Sequence, residues 1–149
     1  MEKKPEAAYC VILGAGDIAD YEGAGARINP KSFIICADGG LRHCKKLKVH
    51  PDLLIGDFDS SEITELPKNT EHIILSPDKN YTDTAYAAEE ARNRGYTDIF
   101  FAGMTGGRLD HTLANLQILG SCAVHGQNVM LSDGITDVYA AAAGSKKTQ

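Results

Sequence analysis

Six short, almost wholly apolar runs recur along the chain, and each is followed by a segment containing glycine, aspartate or serine. Runs of this length without polar alternation are typical of strands that are buried on both faces of a parallel sheet. The pattern therefore predicts a central sheet. The predicted strands cover residues 9–13, 32–37, 53–55, 72–75, 98–102 and 128–131.

Helices are predicted between several of these strands, over residues 41–47, 82–94 and 111–124. The last two end near Gly95 and Gly126, because glycine is favoured just after the end of a helix. By contrast, residues 21–30 contain two glycines, an asparagine and a proline and are predicted to be a poor helix. Alternating strands and helices predict an α/β fold, a Rossmann-like three-layer sandwich around a mostly parallel sheet with right-handed crossovers.

Size and composition narrow the class of protein. The 149 residues suit one domain, and 43% apolar with 23% charged residues is typical of a soluble globular protein. The net charge of -5 argues against a nucleic-acid partner.

The N-terminal apolar run is too short for a membrane span and lacks a signal-peptide cleavage site, so we expect a cytoplasmic protein. Four cysteines without a C-x-x-C pair are expected to be buried thiols.

Acidic residues follow most of the predicted strands or open the helices after them. Ligands of an open parallel sheet bind beyond the carboxyl ends of its strands, so we expect these residues to meet at one edge. Each aspartate alone is a weak signal, since loops are generally rich in this residue. The five concerned are Asp38, Asp57, Asp59, Asp83 and Asp110.

Asp57 and Asp59 form the most informative pair, because residues two apart in an extended segment point the same way. Two carboxylates this close repel by about 2–3 kcal/mol at an effective dielectric near 20. A cation between them, or a proton on one of them, relieves that repulsion. Oxygen-only ligands favour Mg²⁺, which is commonly shared with substrate phosphates. The alternative is a solvated turn capped by Asp and Ser side chains.

Two glycine segments, 38–40 and 103–111, offer phosphate-binding chemistry. Glycine lets the backbone approach a ligand, and its exposed amides can bind phosphate oxygens. Arg108 adds a planar guanidinium that suits phosphate. Two neighbours have simpler interpretations, since Asp110 can be the N-cap of the following helix and His111 a structural residue of its first turn.

Residues 79–83 place a lysine and an aspartate at the start of a predicted helix. Asp83 is favoured there by the helix dipole whether or not it binds a ligand. Lys79 is either part of a site or simply solvated. Alone, this segment is therefore weak evidence for a site.

The segment Gly14-Ala15-Gly16 invites comparison with a dinucleotide-binding fingerprint, because Asp38 lies about twenty residues further on. Two observations argue against that interpretation. Residues 21–30 are a poor crossover helix, and the other aspartates would surround an anionic cofactor with negative charge. Nicotinamide binding is therefore the weaker hypothesis.

Four motifs together resemble the thiamine pyrophosphokinase family, in its order and spacing. They are ADGG (37–40), PDLLIGDFDS (51–60), KNYTD (79–83) and GGRLDHTLAN (106–115). The second and fourth are long and specific, and the resemblance covers nearly the whole chain. It implies transfer of a pyrophosphoryl group from ATP to the hydroxyl of thiamine, which gives thiamine diphosphate and AMP.

The resemblance also implies roles for individual residues, although which carboxylate accepts the hydroxyl proton stays open. The implied catalytic residues are Asp59, Asp83, Arg108 and Asp110. The implied nucleotide-binding residues are Asp38, Gly39, Ser60, Asn80, Thr82, Gly107 and Arg108. The implied Mg²⁺ ligands are Asp57, Asp59, Asp83 and Asp110.

The sequence departs from the family pattern in two places. Ala85 and Tyr86 stand where relatives often carry an acidic residue. The family also has a second, all-β domain that helps to form the thiamine pocket across a homodimer, whereas only a short tail follows the last predicted strand. The resemblance thus implies a catalytic α/β domain over 1–140, a tail over 141–149 and no thiamine-binding domain in this chain.

Two other classes of function remain open at this point. A magnesium-dependent phosphohydrolase also uses clustered aspartates on an α/β sheet and would release inorganic phosphate without thiamine. A nucleotide-binding module would bind without turnover, and a ligand would then raise its melting temperature without any product being formed.

The metal assignment makes the first prediction. Asp59→Asn keeps the size of the side chain but removes its charge, so we expect the variant to lose Mg²⁺-dependent binding of ATP. Isothermal titration calorimetry with and without Mg²⁺ measures this directly. An unchanged affinity for Mg-ATP would show that Asp59 is not a metal ligand.

Overall fold

A single sheet of seven strands organises the described part of the chain, which in this computed structural model comprises residues 8–57, 67–76 and 82–143. Across the sheet the order is β4-β3-β2-β1-β5-β6-β7, and neighbouring strands are parallel except β6 and β7. In chain order the strands are β1 Tyr9–Leu13, β2 Phe33–Ala37, β3 Leu53–Gly56, β4 Glu71–Ile74, β5 Asp98–Ala102, β6 Asn128–Ser132 and β7 Asp137–Tyr139.

All six strands expected from the apolar runs are confirmed, with ends that differ by one residue at most. The central strands are buried on both faces, which explains why they carry no alternating polar residues. In β1, for example, Val11, Ile12 and Leu13 are all fully buried. The seventh strand, β7, was not expected, because its three residues lie at the sheet edge and none of them is buried.

Helices cover both faces of the sheet and complete three layers. In chain order they are α1 Tyr21–Ala26, a 3₁₀ segment Asp38–His43, α2 Cys44–Leu47, α3 Asp83–Asn93 and α4 Leu109–Val124. One buried cluster joins α3 and α4 to the face of Cys10 and Ile12, and a second joins α1 and α2 to the face of Val11 and Leu13. The expected α/β sandwich is confirmed.

Helix α1 refines the expectation that residues 21–30 form a poor helix. The chain is helical over Tyr21–Ala26 and ends there, with Arg27 as the C-cap. The helix-breaking residues Asn29 and Pro30 lie beyond that end, so they shorten the helix without abolishing it. Ala24 is fully buried, and this burial against the sheet stabilises a segment whose helix propensity is low.

Helix α3 starts where the sequence indicated. The Thr82 side chain accepts a hydrogen bond of 3.1 Å from the amide of Ala85, which makes it the N-cap. The buried face of α3 consists of small residues, Ala87, Ala88 and Ala91, so the helix can lie close to the sheet.

The topology creates a switch point between β1 and β5. From β1 the chain builds β2, β3 and β4 on one side, then returns to add β5 and β6 on the other. The crossovers that follow β1 and β5 therefore run to opposite faces of the sheet, and the carboxyl ends of these two strands are where an open α/β sheet places its ligand site.

Two further expectations can be compared with the fold. All four cysteines are free and buried, as expected. Within the described ranges, none of the helices combines the length and the apolar character that crossing a bilayer requires.

Two glycines give a matched test of the packing at the switch point. A Cβ on Gly40 would overlap the carbonyl oxygen of Leu13, whereas a Cβ on Gly120 in α4 would meet no atom within 4 Å. Overpacking typically costs about 1–3 kcal/mol, so we expect Gly40→Ala to lower the free energy of unfolding by at least that amount. Gly120→Ala should raise it by roughly 0.5–1 kcal/mol through helix propensity.

Urea denaturation of both variants measures these free energies. If Gly40→Ala is as stable as the wild type, the close approach of the 3₁₀ segment to β1 is wrong.

Candidate functional site

A cleft of about 340 Å³ lies at the switch point, beyond the carboxyl ends of β1 and β5. Its walls come from residues 15–17, from 82–84 at the start of α3 and from the loop 103–108. The first turns of α4 close it with His111, Ala114 and Asn115. This is the position at which open α/β sheets bind their ligands.

The cleft unites residues from two motifs that are distant in sequence. Thr82 and Asp83 line it from α3, and Gly107 and Arg108 line it from the loop after β5. Asp110 is joined to them through hydrogen bonds with Arg108. The structure thus places these five residues together, while their individual roles remain predictions.

The other candidate residues are less completely described. Asp57 is exposed at the end of β3, two strands away from β1 and roughly 10 Å to the side. Gly39 lies beside the cleft, because a Cβ on it would be 3.2 Å from the Cβ of Ala15. The remaining candidates lie outside the described residues: Asp59, Ser60, Asn80 and the side chain of Asp38.

Within residues 8–57, 67–76 and 82–143, no three His, Cys, Asp or Glu side chains are grouped so that they could hold a metal ion. Carboxylates such as those of Asp83 and Asp110 are nevertheless the oxygen donors that Mg²⁺ prefers. Asp83 lines the cleft, and Asp110 is hydrogen-bonded to Arg108, which also lines it. Magnesium binding therefore stays a prediction, with Asp57, Asp59, Asp83 and Asp110 as its expected ligands.

Arg108 and Asp110 form a bidentate pair at the mouth of the cleft. Nε and Nη2 of Arg108 donate to the two carboxylate oxygens at 3.1 and 2.7 Å, and this pairing holds the pKa of Asp110 below its ordinary value. The side chains are 71% and 61% exposed. Water screens such a pair, so Arg108 can exchange the carboxylate for a phosphate at little cost.

Asp110 is not the N-cap of α4, which corrects one interpretation of the sequence. The helix begins at Leu109 with Arg108 as its N-cap, and Asp110 lies inside the first turn. Its carboxylate accepts the amide of His111 at 3.0 Å, so it still stabilises the positive end of the helix. His111 is a first-turn residue, as expected, and it also lines the cleft.

The loop between β5 and α4 has a glycine-dependent conformation that leaves part of its backbone exposed. Gly103, Gly106 and Gly107 have φ angles of 74°, 86° and 70°, a region that favours glycine. The side-chain amide of Asn115 donates to the carbonyl of Met104 at 2.9 Å and ties the loop to α4. Gly106 and Gly107 are exposed at its tip, where they border the cleft.

The β1 loop, defined as residues 14–17, is the part of the site that sequence reasoning missed. The amides of Gly14, Gly16 and Asp17 donate to the carbonyls of Ala102, Gly103 and Thr105 at 2.9, 2.7 and 2.7 Å. Those amides are therefore not available to a pyrophosphate, which weakens the dinucleotide interpretation on physical grounds. The Gly-x-Gly signal was visible, but it marks close packing of two loops.

A larger cleft of about 660 Å³ lies at the opposite, amino ends of the strands. It is bordered by Tyr9, Asp98 and Asn128, which begin β1, β5 and β6, and by apolar residues such as Phe100 and Met130. Among the described residues, none of the candidate site residues contributes to it. Its size alone does not make it the site, because the polar groups converge on the smaller cleft.

The Arg108–Asp110 pair can be tested by titration. Arg108→Ala removes the main cause of the lowered pKa of Asp110, so that pKa should rise towards its ordinary value. Carboxyl ¹³C NMR titration measures it. Arg27→Ala is the matched control, because Arg27 lowers the pKa of Asp137 in the same way at the far edge of the sheet. A pKa of Asp110 that does not move in Arg108→Ala would contradict the pairing.

Comparison with known proteins relates this site to one family. The model for "Thiamin pyrophosphokinase, catalytic domain" matches residues 25–131, well over half of the chain. The search of curated protein sequences found no match to this chain. The matched region contains the start of α3, the loop after β5 and the first turns of α4.

Solved structures of similar fold support the same relation. Thiamine pyrophosphokinase from Bacillus subtilis has a TM-score of 0.68 at 23% identity, over 83% of this chain and 59% of that protein. A probable thiamine pyrophosphokinase from Staphylococcus saprophyticus has a TM-score of 0.58 at 28% identity, over 85% and 65%. A thiamin pyrophosphokinase family protein from Enterococcus faecalis has a TM-score of 0.66 at 22% identity, over 89% and 64%.

The chain therefore spans about three fifths of the length of these proteins. At identities of 22% and 23%, the structures from Bacillus subtilis and Enterococcus faecalis establish only that the fold is shared. The family follows from the match over residues 25–131 together with motifs that meet in one cleft. On this evidence the chain belongs to the family of thiamin pyrophosphokinase catalytic domains.

Proposed function

We propose that this chain binds ATP and Mg²⁺ and transfers a pyrophosphoryl group from ATP to the hydroxyl of thiamine, giving thiamine diphosphate and AMP. The observation that carries the proposal is the convergence of Asp83, Arg108 and the exposed glycine loop on one cleft in a member of this family. The proposal further includes a cytoplasmic location and a homodimer of the full-length protein.

The phosphate chain of ATP fits the side of the cleft formed by the loop after β5. The exposed Gly106 and Gly107 offer backbone amides, and Arg108 offers a planar pair of donors. Charge develops on the transferred group during phosphoryl-type transfer, so donors already held in position lower the barrier. In this proposal Arg108 leaves Asp110 and contacts the phosphate.

The carboxylates supply the other half of the site. Asp83 and Asp110, with Asp57 and Asp59, would hold Mg²⁺, which neutralises negative charge on the phosphate oxygens when it is bound. An acidic chain with net charge -5 has few other means to tolerate a triphosphate beside several aspartates. One of these carboxylates also has to accept the proton of the attacking hydroxyl group.

Product analysis tests the proposal. With the full-length protein, ATP, Mg²⁺ and thiamine, we expect AMP and thiamine diphosphate in equal amounts by liquid chromatography. Inorganic phosphate formed without thiamine would instead support a phosphohydrolase. Binding of Mg-ATP without any product, in the full-length protein, would support a nucleotide-binding module and sink the proposed reaction.

Arg108→Ala and Arg27→Ala form a matched pair for the binding step. Both remove an arginine that pairs with an aspartate, but only Arg108 lies in the cleft. A charged hydrogen bond is worth about 1.5–3 kcal/mol, so Arg108→Ala should weaken Mg-ATP binding by roughly 10- to 150-fold. Arg27→Ala should bind like the wild type in the same calorimetric titration. Equal affinities of the two variants would remove Arg108 from the site.

A further inference from the structure

A histidine with no role in the proposed reaction is buried directly behind the cleft. His43, at the end of the 3₁₀ segment, is 0% exposed. Its Nε2 lies 2.8 Å from the carbonyl oxygen of Gly16, and its Nδ1 lies 2.7 Å from the hydroxyl of Tyr21 in α1. The ring also faces the loop after β5, because a Cβ on Gly103 would be 3.1 Å from Cδ2 of His43.

The two partners determine the tautomer of the ring. The carbonyl of Gly16 can only accept, so Nε2 carries the hydrogen and donates. Nδ1 then carries no hydrogen and accepts from the Tyr21 hydroxyl. Burial lowers the pKa of His43, and a second ring proton would leave the hydroxyl hydrogen of Tyr21 without this acceptor. The ring is therefore neutral near pH 7.

His43 acts on the β1 loop together with its neighbour Arg42. The guanidinium of Arg42 donates to the carbonyls of Ala15 and Gly16 at 2.7 and 2.9 Å. The amide side of the same loop donates to the loop after β5, as described above. The carbonyls of the β1 loop thus accept hydrogen bonds from the 3₁₀ segment. Its amides donate to the end of β5 and to the loop after it, residues 103–108, which we call the glycine loop.

Close contacts link the β1 loop to the loop after β5, whose backbone is proposed to bind phosphate. A Cβ on Gly16 would lie 2.6 Å from the carbonyl oxygen of Thr105, and one on Gly106 would lie 2.6 Å from the carboxylate of Asp17. The backbones of Gly16 and Thr105 are therefore in close contact, and Asp17 and Thr105 form an isolated β-bridge. A displacement of Gly16 is expected to displace Thr105 and, with it, the adjoining Gly106.

We propose that His43, through its Nε2–H bond to Gly16, is a positioning residue that holds the β1 loop and, through it, the glycine loop in the shape that binds phosphate. The inference rests on the proposed function for the ligand, but the bonded geometry that it invokes is measurable without one.

Replacing His43 by glutamine or by asparagine distinguishes a positioning role of its Nε2–H bond from a role in packing alone. In His43→Gln the side-chain nitrogen can occupy the place of Nε2 and still donate to Gly16. In His43→Asn the shorter side chain reaches only the place of Nδ1. Both variants lose the ring, so both should be destabilised. We expect His43→Gln to bind Mg-ATP within about threefold of the wild type and His43→Asn to bind about tenfold more weakly, the value of one buried hydrogen bond.

Nuclear magnetic resonance supplies the ligand-free measurements. The ring nitrogen shifts of wild-type His43 should show hydrogen on Nε2 and none on Nδ1. Hydrogen exchange of the Gly16 and Asp17 amides should be faster in His43→Asn than in His43→Gln. The opposite tautomer, or equal exchange in the two variants, would overturn the inference, and the tautomer measurement does not depend on either variant folding.

The two proposals can fail separately. If the wild type binds no Mg-ATP, the proposed function fails, while the amide exchange still decides the role of His43. If the wild type binds Mg-ATP but the two variants bind equally weakly, His43 is a packing residue and the positioning role is wrong.

Discussion

The hydrogen bonds between the β1 loop and the loop after β5 are the constraint on which the described site depends. Strands β1 and β5 pair along their whole length, and the pairing continues beyond them through the amides of Gly14, Gly16 and Asp17. This continuation brings the two loops together at the switch point, where a sheet with diverging crossovers would otherwise leave an open gap. Glycine is required because a Cβ on Gly14, Gly16 or Gly103 would meet backbone oxygen.

The charges of the site follow from this arrangement. Arg108 and Asp110 lie side by side at the start of α4 and neutralise each other while both are exposed to water. Asp83 approaches from the neighbouring helix α3. Carboxylates, a guanidinium and exposed amides therefore share one small cleft. A polyanion with a divalent cation would satisfy all of these groups at once, and this combination is the basis of the proposed binding of Mg-ATP.

Several parts of the fold were predictable because they depend on local sequence. The apolar runs give the six longer strands, and α3 begins within one residue of its predicted start. Other parts were not. Strand β7 has no apolar pattern, since it is an edge strand paired on one side only. Helix α1 has two glycines, and burial of Ala24 against the sheet stabilises it where propensity does not.

By itself, the sequence determined the family, the fold class and the residues Asp83, Gly107, Arg108 and Asp110 as candidates, because motif spacing and apolar runs are properties of the chain alone. Only the tertiary structure decided that Ala15, Gly16 and Asp17 form one wall of the cleft and that His43 is bonded behind them. These residues come from segments that are distant along the chain. Their contacts arise from the order of strands in the sheet, and no local pattern encodes that order.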